Sequence, residues 1–152
     1  TPAELAAIAD RVHALGMKFV LKGVMTPADA VAAERAGCDG IVVSNHGGRA
    51  LDHTPGTIEV LPAVAAAVRG RMAVLMDGGI RDGLDVLKAL ALGADAVLVG
   101  RPYCLAAVGG GAEGVKLLTE QLHSQLVSGM VLTGCGSVRE AGRHLVNMAK
   151  PF

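Results

Sequence analysis

AVLMDGGIRDGLDVLKALALGADAVLVGR, residues 73–101, holds one structural repeat and the start of the next. Ala73 to Asp77 is an apolar run that ends in a carboxylate, and Gly78-Gly79 turn the chain. From about Gly83 to Leu92 the pattern is helical, and Gly93 stops it. Ala96 to Val99 is apolar again and runs into Gly100-Arg101-Pro102. A strand, a crossover helix and a second strand make a βα unit, whose strands are parallel.

The same rhythm extends toward the N-terminus. Phe19-Val20-Leu21 reads as a strand ending at Lys22-Gly23, and Gly40 to Ser44 as another. Helices precede and follow them. Thr1-Pro2-Ala3-Glu4 is a capping box with proline at the first helical position, and Leu5, Ile8, Val12 and Leu15 share one face as far as Gly16. Thr26-Pro27-Ala28-Asp29 repeats the device and opens a helix running to Gly37. Asn45 to Gly56 is a long loop, and a helix from about Thr57 carries Leu61, Val64 and Val68 as far as Gly70. Beyond Pro102 only helices are expected. Val115, Leu118, Leu122 and Leu126 define one face, and Gly109-Gly110-Gly111 is a hinge. Ser137-Val138-Arg139-Glu140 is a capping box for a last helix with Val138, Ala141, Leu145 and Met148 inward.

Strands starting at residues 19, 40, 73 and 96 leave two closures: an open doubly wound sheet, or part of a (β/α)₈ barrel. Every strand ends in polar or glycine-rich chemistry, as barrel active-site rims do, and this favours the barrel. A half barrel exposes two sheet edges and an unfilled interior, so it needs a partner.

Composition agrees. In 152 residues, 51% are hydrophobic and 18% charged, which excludes a disordered segment. Fourteen basic side chains balance fourteen acidic ones, with no basic stripe, so nucleic acid is not an expected partner. Charges or turn residues interrupt each apolar run before about 18 residues, too soon for a membrane span. No signal-peptide pattern opens the sequence, and Cys38, Cys104 and Cys135 are far apart, so free thiols in the cytoplasm are expected. With Phe19, Tyr103 and Phe152 the only aromatics, the core is aliphatic, as suits parallel strands buried on both faces.

The strand ends carry the candidate chemistry. Lys22 is either a cation facing a ligand or a lysine snorkelling from a strand end. In Ser44-Asn45-His46-Gly47-Gly48-Arg49 an imidazole able to take a proton near neutral pH stands three residues from a guanidinium able to grip a carboxylate. That pair suits oxidation of a hydroxy acid; the alternative is a solvated glycine-rich turn. Asp52 either orients His46 or Arg49 or caps the turn. Asp77-Gly78-Gly79-Ile80-Arg81 and Gly100-Arg101 offer backbone N–H groups and guanidiniums to an anion, or are ordinary βα turns. No GxGxxG opens the first βα unit, and His46 and His53 lack metal-ligand partners at zinc-like spacing, so no metal is expected. His13, His123 and His144 fall in helices, as surface or packing residues.

Five motifs in order resemble a known family: Lys22-Gly23; Ser44 to Arg49 with Leu51-Asp52; Asp77 to Arg81 with Gly83, Asp85 and Val86; Ala89 to Ala94; and Gly100-Arg101-Pro102. They resemble the C-terminal half of the FMN-dependent α-hydroxy-acid oxidases and dehydrogenases, such as glycolate oxidase, lactate oxidase and mandelate dehydrogenase. The resemblance implies an α/β fold of the (β/α)₈ TIM-barrel family. The chain, 1–152, would supply strands 5 to 8 and the C-terminal helices of one FMN-binding domain. It implies oxidation of an L-2-hydroxy acid to the 2-oxo acid, with His46 as base, Arg49 on the substrate carboxylate, and Lys22 near flavin N1. Ser44 would touch the flavin, Asp77 the ribityl hydroxyls, and Gly78, Gly79, Arg81, Gly100 and Arg101 the phosphate end of FMN. Ala50 stands where the family often has Gln, and Tyr103 does not match the family's substrate-contacting aromatics, which belong to the other half. The expectation is a piece of a longer protein, cut in the loop after strand 4 or truncated at the gene. Its partner is the N-terminal half of the barrel, within a homo-oligomer, a tetramer by resemblance. Alternatives are another phosphate-binding barrel enzyme, such as a type 2 isopentenyl-diphosphate isomerase or a nucleotide dehydrogenase, or an inactive half barrel that pairs with itself and only binds FMN. The His46–Arg49 pair argues against the first.

Overall fold

Helix starts follow the local chemistry of the sequence. In the computed structural model, which describes residues 1–147, Thr1 Oγ1 accepts from the Glu4 N–H, while the Glu4 carboxylate accepts from the N-terminal amine 2.6 Å away. This closes the capping box of α1 (Pro2–Ala14). Thr26 Oγ1 accepts from Asp29 N at the start of α2 (Pro27–Arg35), and Asp82 Oδ1 from Asp85 N at the start of α4 (Gly83–Ala91). Between them, α3 (Thr57–Val68) buries Leu61, Val64 and Val68, the face its sequence marks out.

The strands are β1 (Val20–Val24), β2 (Gly40–Val43), β3 (Ala73–Met76) and β4 (Ala96–Val97). All pairs are parallel and the spatial order is β1-β2-β3-β4. Chain order equals spatial order, so there is no reversal of winding and no doubly wound sheet. Right-handed crossovers of one sense put the connecting helices on one face. Strands β2 and β3 end one residue earlier than the sequence reading has them, and β1 and β4 differ further. Strand β1 starts at Val20 and continues through Lys22-Gly23 to Val24, because Gly23, at φ +99°, absorbs a bulge between Lys22 and Val24. Strand β4 pairs over two residues, not four, although Leu98 N still donates to Met76 O at 2.9 Å.

The two sheet faces are unlike. Ile41, Val43, Val74 and Met76 point to the helices and are at most 3% exposed. The alternate residues form the other face: a β-carbon at Gly40 would touch the Ala73 β-carbon and Val20. There Val20 is 43% and Leu98 38% exposed, and Ala73 and Ala96 are also exposed. Burial on both faces therefore holds only for β2, whose Val42 is 4% exposed; over the rest of this face the described residues put no second layer. A related correction applies to α1. Its buried residue is Ala9, which lies beside Gly37, whereas Ile8 and Leu15 of the expected inward face are exposed.

The long helix α5 (Arg101–Leu132) is broken at Gly111, whose φ of 56° and ψ of −141° are not helical. Tyr103 Oη lies 2.9 Å from Thr119 Oγ1, although sixteen residues of straight helix span about 24 Å. The two arms thus fold back on each other, and Gly114 seats against the Ala106 backbone. The second arm crosses α4 closely. Gly83 N donates to Gln125 Oε1 at 3.0 Å, and a β-carbon at Gly83 would run into the backbone of Leu122 and Leu126. The expected last helix is absent. Ser137 caps only a 3-10 turn, Val138–Glu140, and a second, Arg143–Leu145, follows. Ala141 and Gly142 between them are extended, since a one-turn nucleus does not propagate into glycine. Met148 lies outside the described residues.

Candidate functional site

All four strands point their C-terminal ends at one rim, and a cleft of about 300 Å³ opens there. Lys22, His46, Arg49, Asp77, Gly78, Gly79, Arg81, Gly100 and Arg101 line it, together with Gly47, Ile80, Leu98 and Pro102. The residues singled out in the sequence therefore meet, apart from Ser44, which lies beneath, 2% exposed. Four cationic side chains (Lys22, Arg49, Arg81, Arg101) face a single carboxylate, Asp77, so the cleft favours an anion.

Lys22 is held rather than snorkelling. Its Nζ lies 2.7 Å from Asp77 Oδ2 and donates to Ser44 Oγ at 2.6 Å. Ser44 Oγ also accepts from the His46 N–H at 3.2 Å, which joins the β1 cation to the loop that carries the imidazole. That loop is sharply turned. His46–Gly48 form a 3-10 turn capped by Asn45 Oδ1, which accepts from Gly47 N at 3.0 Å. His46 itself sits at φ +57°, an uncommon conformation for a side-chain-bearing residue, and is exposed to the cleft with Arg49. Asp77 Oδ1 is buried and has no hydrogen-bond partner.

On the β3–α4 side, Gly78 and Gly79 take φ of +89° and +81°, which side-chain-bearing residues rarely adopt. Gly79 and Gly100 face open space. Arg81 is anchored through its backbone, whose N–H donates to Asp85 Oδ2 at 3.0 Å. The Arg101 guanidinium reaches the β2 loop, 3.8 Å from where a β-carbon at Gly47 would lie.

Other expectations resolve differently. Asp52 Oδ1 accepts from His53 N at 2.9 Å, so it caps the turn and orients neither His46 nor Arg49. Among the described residues no group of three or more His, Cys, Asp or Glu could hold a metal ion. No helix there is long and apolar enough to cross a membrane. Cys38 and Cys135 are buried free thiols, and burial pushes the Cys38 thiol up; Cys104 is exposed. His13 is more than packing: it pairs with Asp39 at 2.7 Å. The sequence reading missed Thr57 and Leu98. Thr57 looked like an ordinary helix start, and Leu98 like a buried strand residue.

Comparison with known proteins gives one answer. The profile of the FMN-dependent dehydrogenase family matches residues 1–148. A peroxisomal (S)-2-hydroxyacid oxidase of Arabidopsis thaliana is 48% identical over 130 residues, which are 86% of this chain and 36% of that protein. An L-lactate oxidase of Lacticaseibacillus rhamnosus is 48% identical over 137 residues, 90% of this chain and 37% of the relative. A crystal structure of mandelate oxidase with a substituted 2-hydroxy-3-phenylpropionic acid superposes with a TM-score of 0.87 at 50% identity, covering 94% of this chain and 42% of that one. Another mandelate oxidase structure, with a monooxide FMN adduct, gives the same score and identity and is covered to 45%. The chain thus spans less than half the length of these relatives, and its four βα units are a segment of their (β/α)₈ barrel.

Proposed function

Because this chain belongs to the FMN-dependent dehydrogenase family, we propose that it is the C-terminal half of a single FMN-binding barrel domain that oxidises an L-2-hydroxy acid to the 2-oxo acid. The observation that carries this reading is the meeting of Lys22, His46, Arg49, Asp77, Arg81 and Arg101 in one cleft. The residues fit FMN. Asp77 Oδ1, buried without a partner, is an acceptor suited to ribityl hydroxyls. Gly79 and Gly100 leave room for backbone approach to a phosphate between Arg81 and Arg101. FMN, when bound, supplies the acceptor for the two electrons of the substrate C–H bond.

The chain's own residues do the rest. Arg49 grips the substrate carboxylate through parallel hydrogen bonds and presents the α-carbon to the cleft. His46 takes the substrate proton on its imidazole, and the left-handed turn at His46 aims the ring from the rim. Lys22, held by Asp77 and Ser44, keeps a positive charge fixed where negative charge develops.

The partner is the N-terminal half of the same barrel. The exposed inner face, Val20, Ala73, Ala96 and Leu98, and the outer edges of β1 and β4 support this. So do the exposed apolar side chains of α1 and α5, Ile8 and Leu105 among them, which also suit assembly of barrels into a homo-oligomer. Free thiols at Cys38, Cys104 and Cys135 suit the cytoplasm.

The test is an anaerobic absorbance spectrum of the protein as its host makes it, with the polypeptides weighed under denaturing conditions. Addition of L-lactate, glycolate or mandelate is expected to bleach an oxidised flavin band in a sample that also holds the N-terminal half. A sample that holds both halves and takes up no flavin would overturn the reading.

A further inference from the structure

The β2–α3 loop carries His46 and Arg49, and the β3–α4 loop carries Asp77 to Arg81. One buried side chain joins them. Thr57 is 4% exposed, and its Oγ1 donates to the Asp77 carbonyl at 2.6 Å. The helix it opens does not need that hydroxyl, because the Gly56 N–H donates to Glu59 Oε2 at 2.7 Å and closes the helix start. Thr57 also fits Gly78 closely. A β-carbon there would lie 3.0 Å from Thr57 Oγ1 and 3.6 Å from its methyl.

The bond falls on a peptide that borders the cleft, between Asp77 and Gly78. Fixing the Asp77 carbonyl fixes the Asp77–Gly78 peptide plane, and with it the left-handed turn at Gly78, φ +89°. The same residue carries the carboxylate that meets Lys22, 2.7 Å away, so the Thr57 bond holds the backbone from which that carboxylate projects. We propose that Thr57 is a positioning residue: its hydroxyl, bound to the Asp77 carbonyl, locks the anion-facing β3–α4 loop against the loop of the candidate base. This rests on the reading of the cleft as an FMN site.

The variants are Thr57→Val, which keeps the shape and removes the donor, and Thr57→Ser, which keeps the donor. Two readouts are taken on the whole chain: amide hydrogen exchange across residues 77–80 without cofactor, and FMN affinity by quenching of flavin fluorescence. Loss of a donor to a buried carbonyl is expected to speed exchange in 77–80 about tenfold or more and to weaken FMN binding by a similar factor. Exchange in β2 and α3 should stay at the wild-type rate, and Thr57→Ser should restore both values to near wild type. A merely structural threonine would move exchange everywhere or nowhere, and either result overturns the proposal. So does a serine variant that behaves like valine. If the unmodified chain takes up no FMN even with its N-terminal half, the cofactor reading fails, and the exchange comparison still decides the role of Thr57.

Discussion

The sheet is covered on one side and largely bare on the other, with Val42 of β2 a buried exception on the bare side. Toward the helices, Ile41, Val43, Val74 and Met76 join Leu61, Val64 and Val68 in one aliphatic cluster. Toward the barrel axis, Val20, Ala73, Ala96 and Leu98 meet solvent, and at the C-terminal end of that same side stand Lys22, Ser44 and Asp77. The helix-facing side uses shape and apolar area and is complete within this chain. The axial side uses charge and directed hydrogen bonds, and its apolar residues Val20 and Leu98 are exposed. Folding and function therefore occupy opposite sides of one sheet, and a substitution should affect one without the other.

The largest expected separation is at the rim. His46→Asn in the assembled enzyme should lower turnover by roughly 10²–10⁴-fold, the usual range for a lost general base. His46 is exposed, so the thermal midpoint should not move; a fall in both would join what the comparison separates. Next comes the covered side. Leu61→Ala, at a fully buried site, should cost about 2–5 kcal/mol in urea unfolding, enough to unfold much of the chain. On the bare side, Leu98→Ala in this chain alone should change stability by less than about 0.5 kcal/mol. The same change should become clearly destabilising once the N-terminal half is added, and equal costs in both settings would contradict the proposed interface.

The smallest effect concerns the far end of the strands. Lys18 Nζ, the Phe19 N–H and His13 hold the Asp39 carboxylate well below the usual carboxylate range. A lowered folded-state pKa gives stability that is present above the unfolded value, near 3.9, and is lost as pH falls toward the folded one. The thermal midpoint should therefore decline below about pH 4, and Asp39→Asn should flatten that decline. An unchanged slope would remove this group from the acid response.

Much of the architecture was legible because it is written locally. The capping residues Thr1 and Thr26 and the polar strand ends at Lys22, Ser44 and Asp77 need no distant partner to be recognised. The cleft followed from them, since parallel strands bring their ends to one rim. What failed depends on neighbours. Ile8 and Leu15 are apolar at helical spacing, yet none of the described residues buries them. The Ser137-to-Glu140 pattern does not close as a capping box, since Ser137 Oγ accepts from Arg139 N and Glu140 Oε2 from Gly136 N, and Gly142 stops a helix that has only one turn of its own. Thr57 was invisible for a related reason: its partner, the Asp77 carbonyl, is backbone, and sequence spacing says nothing of where that oxygen points.

The close crossing of α4 and α5 has a consequence for the order in which the chain assembles. Each strand pairs with the one made before it, so a polypeptide leaving the ribosome can add βα units one by one onto an existing edge. The exception is α4, whose Gly83 N–H is bonded to Gln125 and whose surface is covered by the arm beyond Gly111. That arm emerges some forty residues later, which at about 5–20 residues per second leaves the Asp77 loop and its helix without their final neighbour for a few seconds of synthesis.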